Sequence, residues 1–201
     1  MNKPLDKPMT ASMPGDSPGR QWMPLHEVSE PFRSRLLEMY PDLPASHVQP
    51  LHFELSRISG GGAGQQLWIS GQVPRFGPQV RYQGVVGQDI SIDMARDAAR
   101  LALANLLSII AAACDGDLGR VERVVRLTAY IRGTADFGEH SSVIDAASEI
   151  LNAVFGERGR HVRSAIGVFS LPNRASVELE CVVQLRTCPS REYEPPSGDA
   201  P

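Results

Sequence analysis

The sequence predicts an α+β domain in which two helices cover one face of a β-sheet. Three observations carry the prediction. Two extended runs flank a glycine-rich turn, two long amphipathic stretches each lead into a strand-like run, and a last run alternates in polarity along its whole length.

Taken in chain order, residues 1–31 hold Pro4, Pro8, Pro14, Pro18, Pro24 and Pro31 among Ser, Met and Asp, with no helical or strand period. They read as a disordered arm. A short amphipathic helix is expected at Phe32–Met39, ending before Tyr40-Pro41 because the residue preceding a proline avoids the helical region. Leu51–Ile58 and Gln66–Ser70 read as a hairpin around Gly60–Gly64. That glycine cluster lacks the Lys-Ser/Thr of a phosphate loop and precedes a strand-like run, not a helix.

The first long helix is placed at Ile92–Cys114, capped by Ser91 or Asp93. Ala98, Leu101, Ala102, Asn105, Ile109 and Ala112 form its stripe, widened by Leu103, Leu106, Leu107 and Ile110. The second takes Asp136 as N-cap with Glu139 three residues on, a capping-box pattern. Val143, Ala147, Leu151, Val154 and Phe155 give its apolar face, and Gly156 stands where a terminating glycine belongs. Strands are expected at Val121–Arg132, His161–Ser170 and Ser176–Leu185, and a disordered tail from Thr187. The domain is therefore 32–186.

Parity sorts the strand residues. Val177, Leu179, Cys181, Val183 and Leu185 share one face, and Glu178, Glu180, Val182 and Gln184 the other. In the middle strand Val125, Leu127, Ala129 and Ile131 oppose Val124, Arg126, Thr128, Tyr130 and Arg132. Arg163, Ala165, Gly167 and Phe169 oppose Ile166 and Val168. Two helices cover one face only. The other mixes charge with aliphatics and aromatics, so a subunit interface is its natural cover, with sites at the interface rim.

Composition narrows the chemistry. Of 20 Lys plus Arg, only Lys3 and Lys7 are lysines, both in the arm. The folded domain then has no Schiff-base lysine and no Walker-type phosphate loop. The 18 arginines of the whole chain are permanently charged, planar anion-binding forks. Cys114, Cys181 and Cys188 are an odd set without CxxC spacing and read as reduced cytosolic thiols. His26, His47, His52, His140 and His161 have no metal-ligand spacing, so no metal is expected. There is no apolar run long enough for a membrane helix, and a net charge of −3 does not suggest a nucleic-acid partner. The chain is read as cytoplasmic.

Two residues stand out. Arg163 lies beside small residues at a strand start, suited to holding a ligand carboxylate through two parallel bonds. Glu178 can orient a water or take its proton; the alternative is a structural salt bridge to Arg163 or Arg126. His161 reads as a capping or packing residue.

The runs Leu67-Trp68-Ile69-Ser70-Gly71-Gln72-Val73-Pro74, Asn105-Leu106-Leu107, Asp136-Phe137 and Gly159–Ala165, with Leu171-Pro172 before Ser176–Glu180, resemble one family. It is the Rid (YjgF-type) family of enamine/imine deaminases, in its chorismate-mutase-like branch, matched over about residues 35–186. The resemblance implies a chorismate-mutase-like mixed β-sheet with two helices on one face, the other face buried in a homotrimer barrel. It implies three clefts between subunits and no cofactor. Arg163 would anchor the carboxylate of a 2-imino or 2-enamino acid and Glu178 would position the water, releasing a keto acid and ammonia. Ser70 and Gly71 would line the cleft. Phe53 stands where family deaminases have a tyrosine, Ala165 where a cysteine is common, and Asp145 near a common asparagine. These departures leave room for a larger or more apolar substrate. A non-catalytic trimeric module that binds a small carboxylate or aromatic metabolite is the alternative. Ribonuclease activity within the family is the third, opposed by the charge.

Overall fold

A computed structural model of the chain describes residues 22–40, 53–61 and 64–186. The rest of the expected arm, the expected tail, and the first residues of the expected first strand lie outside these. Three α-helices and seven strands follow in order: α1 (Phe32–Met39), β1 (Ser56–Ser59), β2 (Gln66–Gln72), β3 (Arg75–Phe76), β4 (Gln79–Val80), α2 (Ile92–Ala113), β5 (Val121–Arg132), α3 (His140–Phe155), β6 (Val162–Val168) and β7 (Val177–Leu185). The main sheet runs β1-β2-β7-β5-β6, and β3-β4 form a separate ribbon. β6 is parallel to β5 and every other pairing is antiparallel, so the sheet is mixed as expected.

Helix α2 begins where Ser91 accepts from the Met94 amide at 3.2 Å, one of the two expected caps. Its residues 102–111 are buried on every side, more than one stripe allows. The reason is a segment placed in the arm because of its prolines. Trp22–Val28 lies along α2: the Met23 amide donates to the Ser108 carbonyl at 3.1 Å, and the Ser108 hydroxyl donates to the Met23 carbonyl at 2.6 Å. Leu25 and Val28 are buried. Residues 22–31 thus pack on the domain instead of forming part of a loose arm. Burying two such side chains stabilises by roughly 1.5–3 kcal/mol each, which prolines do not prevent in a short 3-10 turn.

The expected capping box of α3 is not formed. The helix starts at His140, four residues after Asp136, and Glu139 makes no side-chain cap bond. Asp136 instead accepts from the Thr134 hydroxyl, which lowers its pKa, and sits in a turn closed by the Phe137 amide on the Thr134 carbonyl. An Asp in such a local turn satisfies itself without a helix. Gly156 does end α3, at φ 62°. The α1 helix rests on this end through Phe32 and Phe155, ring centroids 5.9 Å apart.

In β7 the burial alternates without a break, with Val177, Leu179, Cys181, Val183 and Leu185 inside. β5 departs from simple parity. Val124 pairs with Val183 but Arg126 pairs with Val182, so Val125 is an extra residue, and Glu122 is another between Val121 and Arg123. These two bulges turn Val121 and Val124 to the core together with Leu127, Ala129 and Ile131. The expected grouping of Val124 with Arg126 is corrected accordingly.

The helices cover one face. On the other, Arg57, Trp68, Val182, Arg126 and Val162 form a row across all five strands. Trp68 is 53%, Val162 68% and Ile166 45% exposed there, an apolar exposure beyond what a solvated sheet face needs. Among the described residues no helix is long and apolar enough to cross a membrane.

Candidate functional site

The first cluster forms at the edge strand β6. Gly159 closes the 3-10 turn after α3 against that helix; a Cβ there would lie 2.6 Å from the Leu151 carbonyl carbon and overlap its oxygen. No larger residue fits, and the turn delivers His161 and Arg163 to the flank of α3. His161 Nδ1 is 2.7 Å from the Gly159 carbonyl and Nε2 is 3.2 Å from Ser148 Oγ. A carbonyl only accepts, so Nδ1 carries a proton, and in the neutral ring Nε2 accepts from the serine hydroxyl. Burial above all, and then the Arg163 charge, push the His161 pKa below its ordinary value, although the bond to Gly159 opposes this. His161 is therefore neutral at neutral pH, which leaves Nε2 as an acceptor.

Arg163 continues the chain. Its Nη1 donates to Ser148 Oγ at 3.0 Å and its Nη2 to Asp145 Oδ1 at 2.6 Å. Asp145 and Ser148, three residues apart, share one face of α3. Ala165, two residues on along β6, packs at the edge of the core. A Cβ on Gly167 would come within 2.6 Å of His140 Nε2, so β6 and α3 approach closely here.

The second cluster surrounds Glu178 on β7. Between the pairs Ile69–Cys181 and Gln72–Leu179, Ser70 and Gly71 stand against the single residue Glu180. This bulge swings Gly71 against the Glu178 side chain. A Cβ on Gly71 would overlap Glu178 Oε1 and lie 2.9 Å from Cδ, so only glycine leaves the carboxyl its position. Buried Asn105, in the middle of α2, donates to the Val73 and Arg75 carbonyls at 3.0 and 3.1 Å and pins the strand end. Burial raises the Glu178 pKa, with the neighbouring Glu180 charge adding to it. Tyr130, opposite Glu178 on β5, donates its hydroxyl to Glu180 Oε1 at 3.2 Å. It was not among the expected site residues, although parity had put it on this face. Phe53, Trp68 and Ser70 line an adjoining concavity. A second, of about 410 Å³, is lined by Gln66, Trp68, Arg126, Thr128, Glu180 and Val182.

Ser70, Gly71 and Glu178 therefore come together, with Phe53 near Ser70, and Arg163 and Ala165 come together elsewhere. The two groups do not meet within one chain. Arg163 pairs with Leu127 and faces the helices, whereas Glu178 pairs with Tyr130 and faces away from them. β6 and β7 are not adjacent, because β5 lies between them. Neither expected salt bridge of Glu178 forms. Arg163 binds Asp145, and Arg126 donates to Thr128 Oγ1 and Ser164 Oγ at 3.2 and 3.4 Å. Cys114 and Cys181 are buried free thiols whose pKa values burial raises to about 11 and about 12, which removes them as nucleophiles.

This architecture has known counterparts. A family model described as "YjgF/chorismate mutase-like, putative endoribonuclease" matches residues 35–185. A curated relative, Protein TCP17 of Trypanosoma cruzi, is 39% identical over 124 residues, 61% of this chain and 77% of its own. The solved structure of Atu1372 from Agrobacterium tumefaciens, a protein of unknown function, is similar at TM-score 0.70 and 35% identity, over 77% of this chain and 92% of the other. A structure from Shewanella oneidensis titled as a "putative endoribonuclease" follows at TM-score 0.68 and 30% identity, over 77% and 99%. With the family model spanning the helices, the sheet and both clusters, the chain belongs to the YjgF/chorismate-mutase-like family, the Rid family that its motifs resemble.

Proposed function

We propose that the chain deaminates a reactive imine or enamine, a 2-imino or 2-enamino acid or a related enamine, by hydrolysis without a cofactor. The observation that supports it is the held geometry of Glu178: a half-buried carboxyl of raised pKa, fixed by Gly71 on an exposed face that is rich in apolar residues. A carboxylate with its pKa moved toward neutrality accepts a proton from water and returns it within one turnover. Water adds to the imine carbon as Glu178 takes its proton. The proton passes to nitrogen, the C–N bond of the carbinolamine breaks, and ammonia leaves a carbonyl product. Arg163 binds the other end of the substrate, where a carboxylate would gain two charge-assisted bonds of roughly 1.5–3 kcal/mol each.

Because Arg163 and Glu178 face opposite sides of one chain, they serve one substrate only across two copies. A homotrimer, with the Trp68, Val162 and Ile166 face turned inward, provides such clefts. Ammonia release from an imino acid generated in situ by an amino-acid oxidase tests the reaction. Equal rates for the wild-type chain and Arg163→Ala would refute it. A non-catalytic reading, in which the same cleft only binds a small metabolite, is favoured by the apolar Phe53 and Trp68 beside Ser70; stoichiometric binding without turnover would select it. The endoribonuclease of the relatives' names fits less well. The net charge is −3, and Arg57 on the open face is engaged by Glu54 at 2.7 Å.

A further inference from the structure

The Arg163 guanidinium is already occupied by a carboxylate of its own chain. Asp145 Oδ1 accepts from Nη2 at 2.6 Å, and Ser148 Oγ accepts from Nη1 at 3.0 Å. A guanidinium offers a carboxylate two parallel bonds along either the Nη1/Nη2 edge or the Nε/Nη2 edge, and Nη2 belongs to both. With Asp145 on Nη2, at most one edge stays open and the positive charge is compensated. The pair is anchored on its arginine side, while Asp145 is 49% exposed. Arg163 is only 27% exposed, and Ser148 is itself fixed by the neutral His161, which adds no charge of its own.

Across the cleft of the reading above stands Glu178, a second carboxylate. A ligand bearing a carboxylate would meet one cation and two acidic side chains. A ligand without one would meet no such penalty, and its imine nitrogen, protonated during the reaction, would be favoured by the same acids.

We propose that Asp145 is a specificity-determining residue that selects imines or enamines lacking a carboxylate, by occupying the arginine that would otherwise hold one. The inference rests on the reading that Arg163 and Glu178 line one cleft. It names the substrate class of that site, a neutral or cationic imine that yields an aldehyde or ketone and ammonia. 2-Imino acids are then substrates that must compete with Asp145 for Arg163.

The test is binding and turnover by the full chain, wild type against Asp145→Asn, which keeps the side-chain shape and removes the charge. Binding of 2-oxobutanoate, followed by NMR or calorimetry, is expected to tighten by about tenfold or more, the effect of removing one like charge at contact distance. The gain should vanish in Asp145→Asn/Arg163→Ala. In turnover, KM for an imino acid made by an amino-acid oxidase should fall by a similar factor with kcat little changed. KM for an aldimine made by an amine oxidase should not fall. Asp145→Ala serves as the second variant should the asparagine disturb α3, with circular dichroism as the check. Unchanged 2-oxobutanoate affinity in both variants overturns the inference, whether or not the chain deaminates anything. Tightened binding with no ammonia from either imine upholds the role of Asp145 and removes the deaminase reading instead.

Discussion

Replacing Gly71 with alanine separates the position of one carboxylate from the stability of the fold. The added Cβ would overlap Glu178 Oε1 and stand 2.9 Å from Cδ and 3.2 Å from Cγ, all inside contact distance. What it meets is the far end of a flexible side chain, so Glu178 rotates away at a cost of about 0.5–1.5 kcal/mol if it leaves its preferred rotamer. Alanine returns about 0.4–1 kcal/mol by restricting the unfolded chain, since Gly71 is not at positive φ. The two nearly cancel, and the melting temperature should move by no more than about 4 °C. The chemistry should not survive as well. A reacting group displaced by about 1 Å can lose about 10²-fold, equivalent to roughly 2.7 kcal/mol of transition-state stabilisation. Thermal melting and ammonia-release kinetics on one preparation read both quantities. The variant should be folded, with kcat/KM down by about 10², and should lose nothing further in a Glu178→Gln background. A folded Gly71→Ala chain with wild-type kcat/KM would refute the placement of Glu178 at the reaction centre.

Three more outcomes follow from the same geometry. Burial and then Glu180 raise the Glu178 pKa, so the acid limb of kcat/KM should lie above the ordinary carboxylate value of about 4.3; Glu180→Gln should move that limb down. His161 has its folded-state pKa depressed, so the unfolded chain binds more protons than the folded one below about pH 6.5. Its contribution to stability is complete above that value and is lost as pH falls through the folded pKa, and denaturant titrations of His161→Gln should show a flatter acid side. Gly159→Ala, pressed against the Leu151 carbonyl and the Asn152 amide of α3, should cost about 1–3 kcal/mol in the same assay because backbone, not a side chain, must move.

Much of this was legible in the residues. Unbroken alternation from Val177 to Leu185 identified the inner and outer faces of β7, since β7 itself carries no extra residue and the bulges lie on its neighbours. Ser91 and Gly156 marked helix ends because each satisfies backbone groups in a way few residues can. Parity failed where it needed information from a neighbour. Nothing in Val121–Arg126 distinguishes Glu122 and Val125 as bulged, and Gly71 meets Glu178 only because β2 carries an extra residue opposite Glu180. For Arg163, parity named its companions but not which face they occupy. That face follows from the parallel pairing of Leu127 with Arg163, which turns the arginine to α3 and Asp145. Asp136 misled because an Asp-to-Thr134 turn and a capping box share a local pattern. Trp22–Val28 was hidden by its prolines.

The central claim is that Arg163 and Glu178 complete one site only across two copies, and subunit mixing tests it directly. Arg163→Ala and Glu178→Gln chains would each be prepared alone, then unfolded together in equal amounts and refolded. With a 2-imino acid generated in situ as substrate, if the site spans two copies, each variant alone is inactive and the mixture regains about one quarter of wild-type ammonia release, because a site works when its arginine comes from one variant and its glutamate from the other. If both residues act within a single chain, every site in the mixture lacks one of them. A mixture no more active than its separate components would contradict the account.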